Sequence, residues 1–455
     1  MISDQDLLRG ALQAAPPAGL PSISFEAIAA EVAQVYEGRS GRRPVRTVLA
    51  VVVSTLTVLA IVVVALSVRS NPPAHQSRVP AAKLAPLPTY QGISVIASTL
   101  ATYQWRRLPK APIADRHNSA AVWTGHELIV WGGEDDSRAM SDGAAYNPAT
   151  RTWSVLPAGP LTARTQPLAT WVDGTMVIWG GIVRSSRLSD GASYNPATRT
   201  WRSLPEPPSV PSGNVLSKLV TIGNLAVLIR TPDYTAGTNT IYLDAFNPNT
   251  NTWTKLPSYT PPLGHVIVAG DALAAGDNVF LWSYWTTVNQ IGARTGPGAT
   301  DAAVLNVANG KWSPIATTPD RGESAGEAVW TGSAILLPQR IGFCNCMPGR
   351  QPVVTSVLID PVTGLRSTIQ PGPASRSILH EVWTGGSLLA FAAGTRGGPP
   401  SIAAAWDPTT KHWTTLADPS TGDAAYSVAI WTGNELMLWG QNSTASGTGV
   451  ELAPK

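Results

Sequence analysis

Charge and sulfur are scarce in this chain of 455 residues. Only 13% are charged, and there are two cysteines, five methionines and six histidines. The cysteines, Cys344 and Cys346, share one loop with no histidine beside them. Two thiolates cannot complete a four-ligand zinc site, so no metal or cofactor is expected; in an oxidising exterior the pair could instead form a strained local disulfide or stay as free thiols. Net charge is only +3, from 32 Lys plus Arg against 29 Asp plus Glu. That balance gives no basic face, and nucleic acid is not an expected partner. Few charges beside 41 Gly and 39 Pro exclude a coiled coil or helical bundle and favour turn-rich β structure. Only seven of the basic residues are Lys, a usage that suggests a GC-rich bacterial genome.

One long apolar run is present. Residues 47–68, TVLAVVVSTLTVLAIVVVALSV, hold no charge, Pro or Gly. Helical rise takes such a run across roughly 33 Å, enough for a bilayer core of about 30 Å. A cleaved signal peptide has a shorter apolar core near the start, whereas 46 residues precede this one. Arg39, Arg42, Arg43 and Arg46 lie before the run, against Arg69, Arg78 and Lys83 after it. The positive-inside rule then leaves residues 1–46 in the cytoplasm. Residues 69–92, with Pro72, Pro73, Pro80, Pro86 and Pro88, read as a semi-rigid extended spacer. In the cytoplasmic segment Ile28, Val32 and Val35 make a narrow helical stripe, either a docking helix or part of a loose tail. This layout is similar to that of single-pass bacterial anti-sigma factors, without the His/Cys cluster of their zinc-binding version.

From Trp105 onward two features alternate. One is an apolar run broken by a Gly turn, as in AAVWTGHELIVWGG around Gly125, and again around Gly174, Gly332, Gly385 and Gly433, with weaker copies at Gly223 and Gly276. The other is an Asx-bearing turn leading to Trp, as in YNPATRTW. It ends at Trp153, Trp201, Trp253, Trp312 and Trp413, and the copy IDPVTGL puts Leu365 where Trp is expected. Each of these positions precedes the next turn Gly by 20 to 23 residues, and Trp105 precedes Gly125 by 20. The pattern predicts an inner hairpin, a third strand, an Asx turn and an outer strand carrying Trp. Such sheets cannot bury both faces alone, so seven of them stack as blades, with Trp105 supplying the outer strand of the last. Trp123, Trp171, Trp330, Trp383 and Trp431 recur in register and read as blade packing, whereas Trp282 and Trp285 break the register and read as surface candidates.

The Gly-Gly pair after a strand, the spaced aromatics and the outer Trp resemble the kelch repeat, whose period of about 50 residues this spacing matches better than WD40 does. The fold expected is all-β: a seven-bladed kelch-like β-propeller over 93–455, closed by its N-terminal strand and preceded by one transmembrane helix and a short N-terminal segment. The resemblance implies a ligand site where the loops entering the innermost strands converge. Arg116, Arg164, Arg321 and Arg376, with His265, occupy those loops. Together they would fork onto a carboxylate, phosphate or acidic sugar. Alternatively each Arg pairs locally with Asp115, Asp320 or Glu323, or bonds carbonyls between blades. Kelch-like enzymes include copper oxidases and sialate mutarotases, but no copper motif carries over and no convergent acid/base set is evident. The function expected is a membrane-tethered extracytoplasmic binding or sensing module for a protein or glycan at the bacterial cell envelope. The competing readings are a mutarotase-type enzyme and an anti-sigma-like regulator.

Overall fold

A Gly turn between two apolar runs closes a hairpin in every repeat, and each hairpin is the inner half of an antiparallel sheet of about four strands. The computed structural model describes residues 95–135, 137–209, 215–232, 240–260, 266–286, 299–315, 323–324, 328–341, 353–373, 378–392, 401–417, 426–441 and 449–455. The chain divides after Pro80, and every described residue belongs to the second part, Ala81–Lys455. Blades 1 to 6 follow in chain order, from Ala120–Trp123 through His412–Thr415. Blade 7 is Tyr426–Trp431, Leu436–Gln441 and Val450–Ala453, completed on its outside by Gln104–Arg107. Trp105 pairs with Leu452, so the N-terminal strand closes a seven-bladed propeller as its repeat position required. Among the described residues no helix is long and apolar enough to cross a membrane; the 47–68 run lies outside them.

The repeated turn residues have local causes. In the Trp-Thr-Gly hairpins, Thr124 and Thr432 accept hydrogen bonds at their side-chain oxygens from the backbone N–H groups two and three residues on. Gly125 and Gly433 take the positive φ that the turn needs, +94° and +103°. At the other turn Asn147, Asn195, Asn247 and Asp407 do the same with the two residues after their proline.

Cores lie between blades, and the outer tryptophans fasten them. The indole N–H of Trp153 donates to Pro109 O, Trp201 to Pro157 O, Trp253 to Pro205 O, Trp312 to Pro257 O and Trp413 to Gln370 O, all at 2.8–3.0 Å. Trp105 makes the same bond to Ala417 O at 2.7 Å, tying blade 7 to blade 6. In blade 5 the tryptophan position is held by Arg366, not by Leu365. Arg366 pairs with Ile359 as Trp153 pairs with Tyr146 and Trp201 with Tyr194. The register is counted from the Asx residue, six positions back, and Leu365 is displaced to the solvent side at 71% exposure. A second correction concerns Trp282. Its strand pairs so that it stands three residues beyond the partner of the inner position, as Trp131, Trp179 and Trp439 do. It keeps the register, in a strand that runs on to Thr286.

Antiparallel succession gives the ring two unlike ends. Hairpin turns and Asx turns share one, the turn face; the loops entering innermost strands and those joining second to third strands share the other, the loop face. The chain arrives on the turn face. Val95 N–H donates to Thr384 O at 3.2 Å, the Thr384 hydroxyl donates back to Val95 O at 2.6 Å, and Val95 bridges Gly385. The single helical turn Ala97–Leu100 then buries Ala97 and Leu100 with Leu389, Phe391, Leu436 and Leu438, between blades 6 and 7.

Candidate functional site

The loop face of blades 1 and 2 is built on two matching arginine forks. Arg116 enters from the loop before Ala120–Trp123, and its side chain is fully buried. Its Nη1 and Nη2 donate to the two carboxylate oxygens of Asp142 at 2.7 and 3.1 Å, Nη1 also to Gly132 O at 3.2 Å, and Nε to Ala114 O at 2.8 Å. Arg164 repeats this on Asp190 at 2.7 and 3.0 Å, Gly180 O at 2.9 Å and Thr162 O at 2.9 Å. Thr162 adds one bond that blade 1 lacks: its Oγ1 accepts from Arg164 Nη2 at 3.2 Å, where blade 1 has Ala114. The Gly-Gly pairs follow from this packing. Gly133 sits at φ +93°, and a Cβ there would come within 2.6 Å of His117 O.

These forks therefore run to protein carboxylates within each blade, Asp142 and Asp190, rather than to Asp115. The partners were visible as the repeated SDGA at 141–144 and 189–192, at the same offset of 26 from each Arg. Both carboxylates remain half exposed, at 53% and 57%, and the guanidinium beside each holds it below the usual carboxylate range. Arg321, Arg376, His265, Cys344 and Cys346 lie outside the described residues. Blade 3 uses another route to the same end: Arg230, on its second strand, pairs with buried Asp244 and with Ser209 O.

Around the forks stand further polar groups. Glu134 accepts from Thr165 Oγ1 at 2.7 Å and Asn118 Nδ2 at 3.0 Å, which lowers its pKa, and its Oε1 lies 3.7 Å from His117 Nε2. A hollow of about 240 Å³ opens over Arg116, lined by Ala114, Ala139, Met140 and Ala163 beside Ser141, Asp142 and Arg138. Arg138 is 76% exposed, and its Nε lies 3.9 Å from Asp135. Among the described residues no three His, Cys, Asp or Glu side chains converge as a metal site.

Two other charged places lie between blades. Glu451, 1% exposed on blade 7, receives Arg106 at 3.2 Å and Arg151 from blade 1, and Tyr146 approaches it at 3.5 Å. Burial first, then the Glu451 charge, pushes the Tyr146 hydroxyl up to about 12. Glu381, on the innermost strand of blade 6, is buried with one donor, Ser356 Oγ at 2.7 Å, and burial pushes it up to about 7. The inner tryptophans pack between blades as their register implied, Trp123 with Val428 and Met437, Trp431 with Leu389 and Leu436.

Residues 91–282 match the family model described as KLHDC2/KLHL20/DRC7 Kelch-repeats domain. No curated protein matches the chain. A solved structure titled "Structure of YjhT" aligns over 68% of this chain and 99% of its own, at 16% identity and a TM-score of 0.43.

Proposed function

With residues 91–282 a kelch-repeat domain, we propose that the chain is a binding module tethered to the cell membrane by the 47–68 helix, its propeller outside the cell and its loop face turned to a protein or glycan partner. One observation carries the choice of face. The chain joins the ring at Val95 beside the hairpin tip of blade 6, on the turn face. The loop face lies at the opposite end of the ring from that junction and carries the half-exposed Asp142 and Asp190. Loops on a rigid scaffold are where binding residues concentrate.

The tether is tested by fractionation. The full chain should stay with membranes through a carbonate wash and lose its propeller to protease added outside cells, and deletion of 47–68 should release it. Recovery of the intact chain in the soluble fraction would sink the tether. The face is tested with the detergent-solubilised full chain carrying serine at Cys344 and Cys346 and one new cysteine, at Ser141 on the loop face or His126 on the turn face. A bulky polymer on the first should block capture of ligands on a glycan or surface-protein array, and on the second should not. The reverse result would overturn the assignment.

A further inference from the structure

The hollow over Arg116 is lined by two opposite charges, Asp142 and Arg138, and by a few small apolar side chains. Asp142 spends two of about four acceptor sites on Arg116 and keeps the others toward solvent. The buried guanidinium fixes its position. Among the described residues the Arg138 side chain makes one ion pair, the long, exposed one to Asp135, and its charge already acts on Asp142, so it can turn inward at little cost. A lone anion would meet Asp142, and a lone cation would meet Arg138; one molecule carrying both charges satisfies both. The volume, about 240 Å³, lies below the roughly 300–1,000 Å³ of sites for drug-sized ligands, so the occupant is small. Ala114, Ala139, Met140 and Ala163 offer it apolar contact.

We propose that this hollow binds an amino-acid-sized zwitterion, its ammonium on Asp142, its carboxylate on Arg138 and an apolar side chain against Ala114 and Met140. The proposal rests on the loop face being the recognition face and names a ligand class for it. Blade 2 supplies the control. Thr162 stands where blade 1 has Ala114, and its hydroxyl gives Arg164 an acceptor that Arg116 lacks. Ala114→Thr therefore projects into the hollow while completing the fork beneath it.

The test titrates the detergent-solubilised full chain with L-leucine, N-acetyl-leucine and leucinamide, read by calorimetry and saturation-transfer NMR. L-leucine should bind at least tenfold more tightly than either blocked form, and rising salt should weaken it. Ala114→Thr should cut that affinity at least tenfold with an unchanged or raised melting midpoint, and Arg138→Ala should bring L-leucine down to the level of leucinamide. Equal affinity for all three probes, no saturable binding, or undiminished binding by Ala114→Thr would overturn the proposal. Partner capture blocked at Ser141 without L-leucine binding removes the zwitterion alone. L-leucine binding with capture indifferent to that block removes the loop-face reading of the partner.

Discussion

The seam between blades 1 and 2 and the seam between blades 4 and 5 solve the same packing problem with different parts. In the first, the Trp201 ring lies 4.8 Å from Tyr194 and 6.1 Å from Trp131, its N–H bonds Pro157 O, and Gly159 lets it lie flat, since a Cβ there would meet it at 3.0 Å. Arg199 adds a bond to Val155 O at 2.9 Å. In the second, Arg366 takes the tryptophan's place, and a cavity of about 10 Å³ remains among Phe280, Ile315, Ile335 and Ile359. There the inner stack carries the joint: Phe280 and Trp330 lie nearly parallel, 5.6 Å apart. The ring is thus held at two radii, by apolar packing inside and by a hydrogen-bonded aromatic at the rim, and at one seam an arginine stands where that aromatic is elsewhere.

Breaking the regular part should cost most at the forks. Asp190→Ala leaves Arg164 fully buried and unpaired, which costs about 3–5 kcal/mol. Urea unfolding of Asp190→Ala and Asp142→Ala should show matching losses, because the two forks share the same carboxylate bonds and differ only in that Arg116 adds Asp142 O and Arg164 adds Thr162 Oγ1. A loss below about 1 kcal/mol in either would show that water replaces the carboxylate. Next comes the rim: Trp201→Ala should lose about 2–3 kcal/mol, below the roughly 3–5 kcal/mol of a fully buried large aromatic because the ring is half-buried. Arg366→Ala, at the equivalent place, should change the same midpoint by less than about 1 kcal/mol. Equal losses at both would mean that the rim position matters whatever occupies it.

Blade number, closure by Trp105 and the two turn types were legible because each rests on a residue with a local job at a fixed interval: Gly125 for positive φ, Asn147 for its Asx turn, Trp153 for its clamp. Arg366 was misplaced because alignment by side-chain type chose the apolar neighbour, whereas strand pairing counts residues from Asp360. The forks were half legible. Arginine in the entering loop stood out, but a carboxylate 26 residues away is joined to it only when two loops meet at the same end of a blade. Glu381 gave no signal at all, since its state depends on burial against Ser356 of the neighbouring blade.

That glutamate makes the seam between blades 5 and 6 differ from the regular ones in its response to pH. Its folded pKa, about 7, stands above the ordinary 4.5. Between those values the folded chain holds a proton that the unfolded chain has released, so its contribution is full below about pH 4.5, falls as pH rises, and levels off above about 7. The fall should amount to about 3 kcal/mol. Asp142 and Asp190 act oppositely, adding stability above the ordinary carboxylate pKa and losing it as pH falls through their lowered values, so their window lies lower. Comparison of Glu381→Gln with the parent from pH 4.5 to 8 isolates the one group, and parallel curves would show that Glu381 is ionised and solvated in the folded ring.

The smallest effect expected is a gain. Arg366→Trp would restore the seventh rim tryptophan at a position whose backbone register already matches the other six, opposite Ile359 and over the existing cavity. An indole there buries apolar area that a guanidinium cannot, worth about 1–2 kcal/mol, against the loss of the interactions Arg366 now makes. The net should be about 1 kcal/mol of added stability, read as a raised urea midpoint with an unchanged slope. Trp201→Arg serves as the mirror experiment and should lose more than Arg366→Trp gains, because Gly159 and Pro157 O are already arranged around an indole. If Arg366→Trp destabilises the ring, the cavity is not shaped for the ring system, and the seam between blades 4 and 5 is adapted to arginine rather than missing its tryptophan.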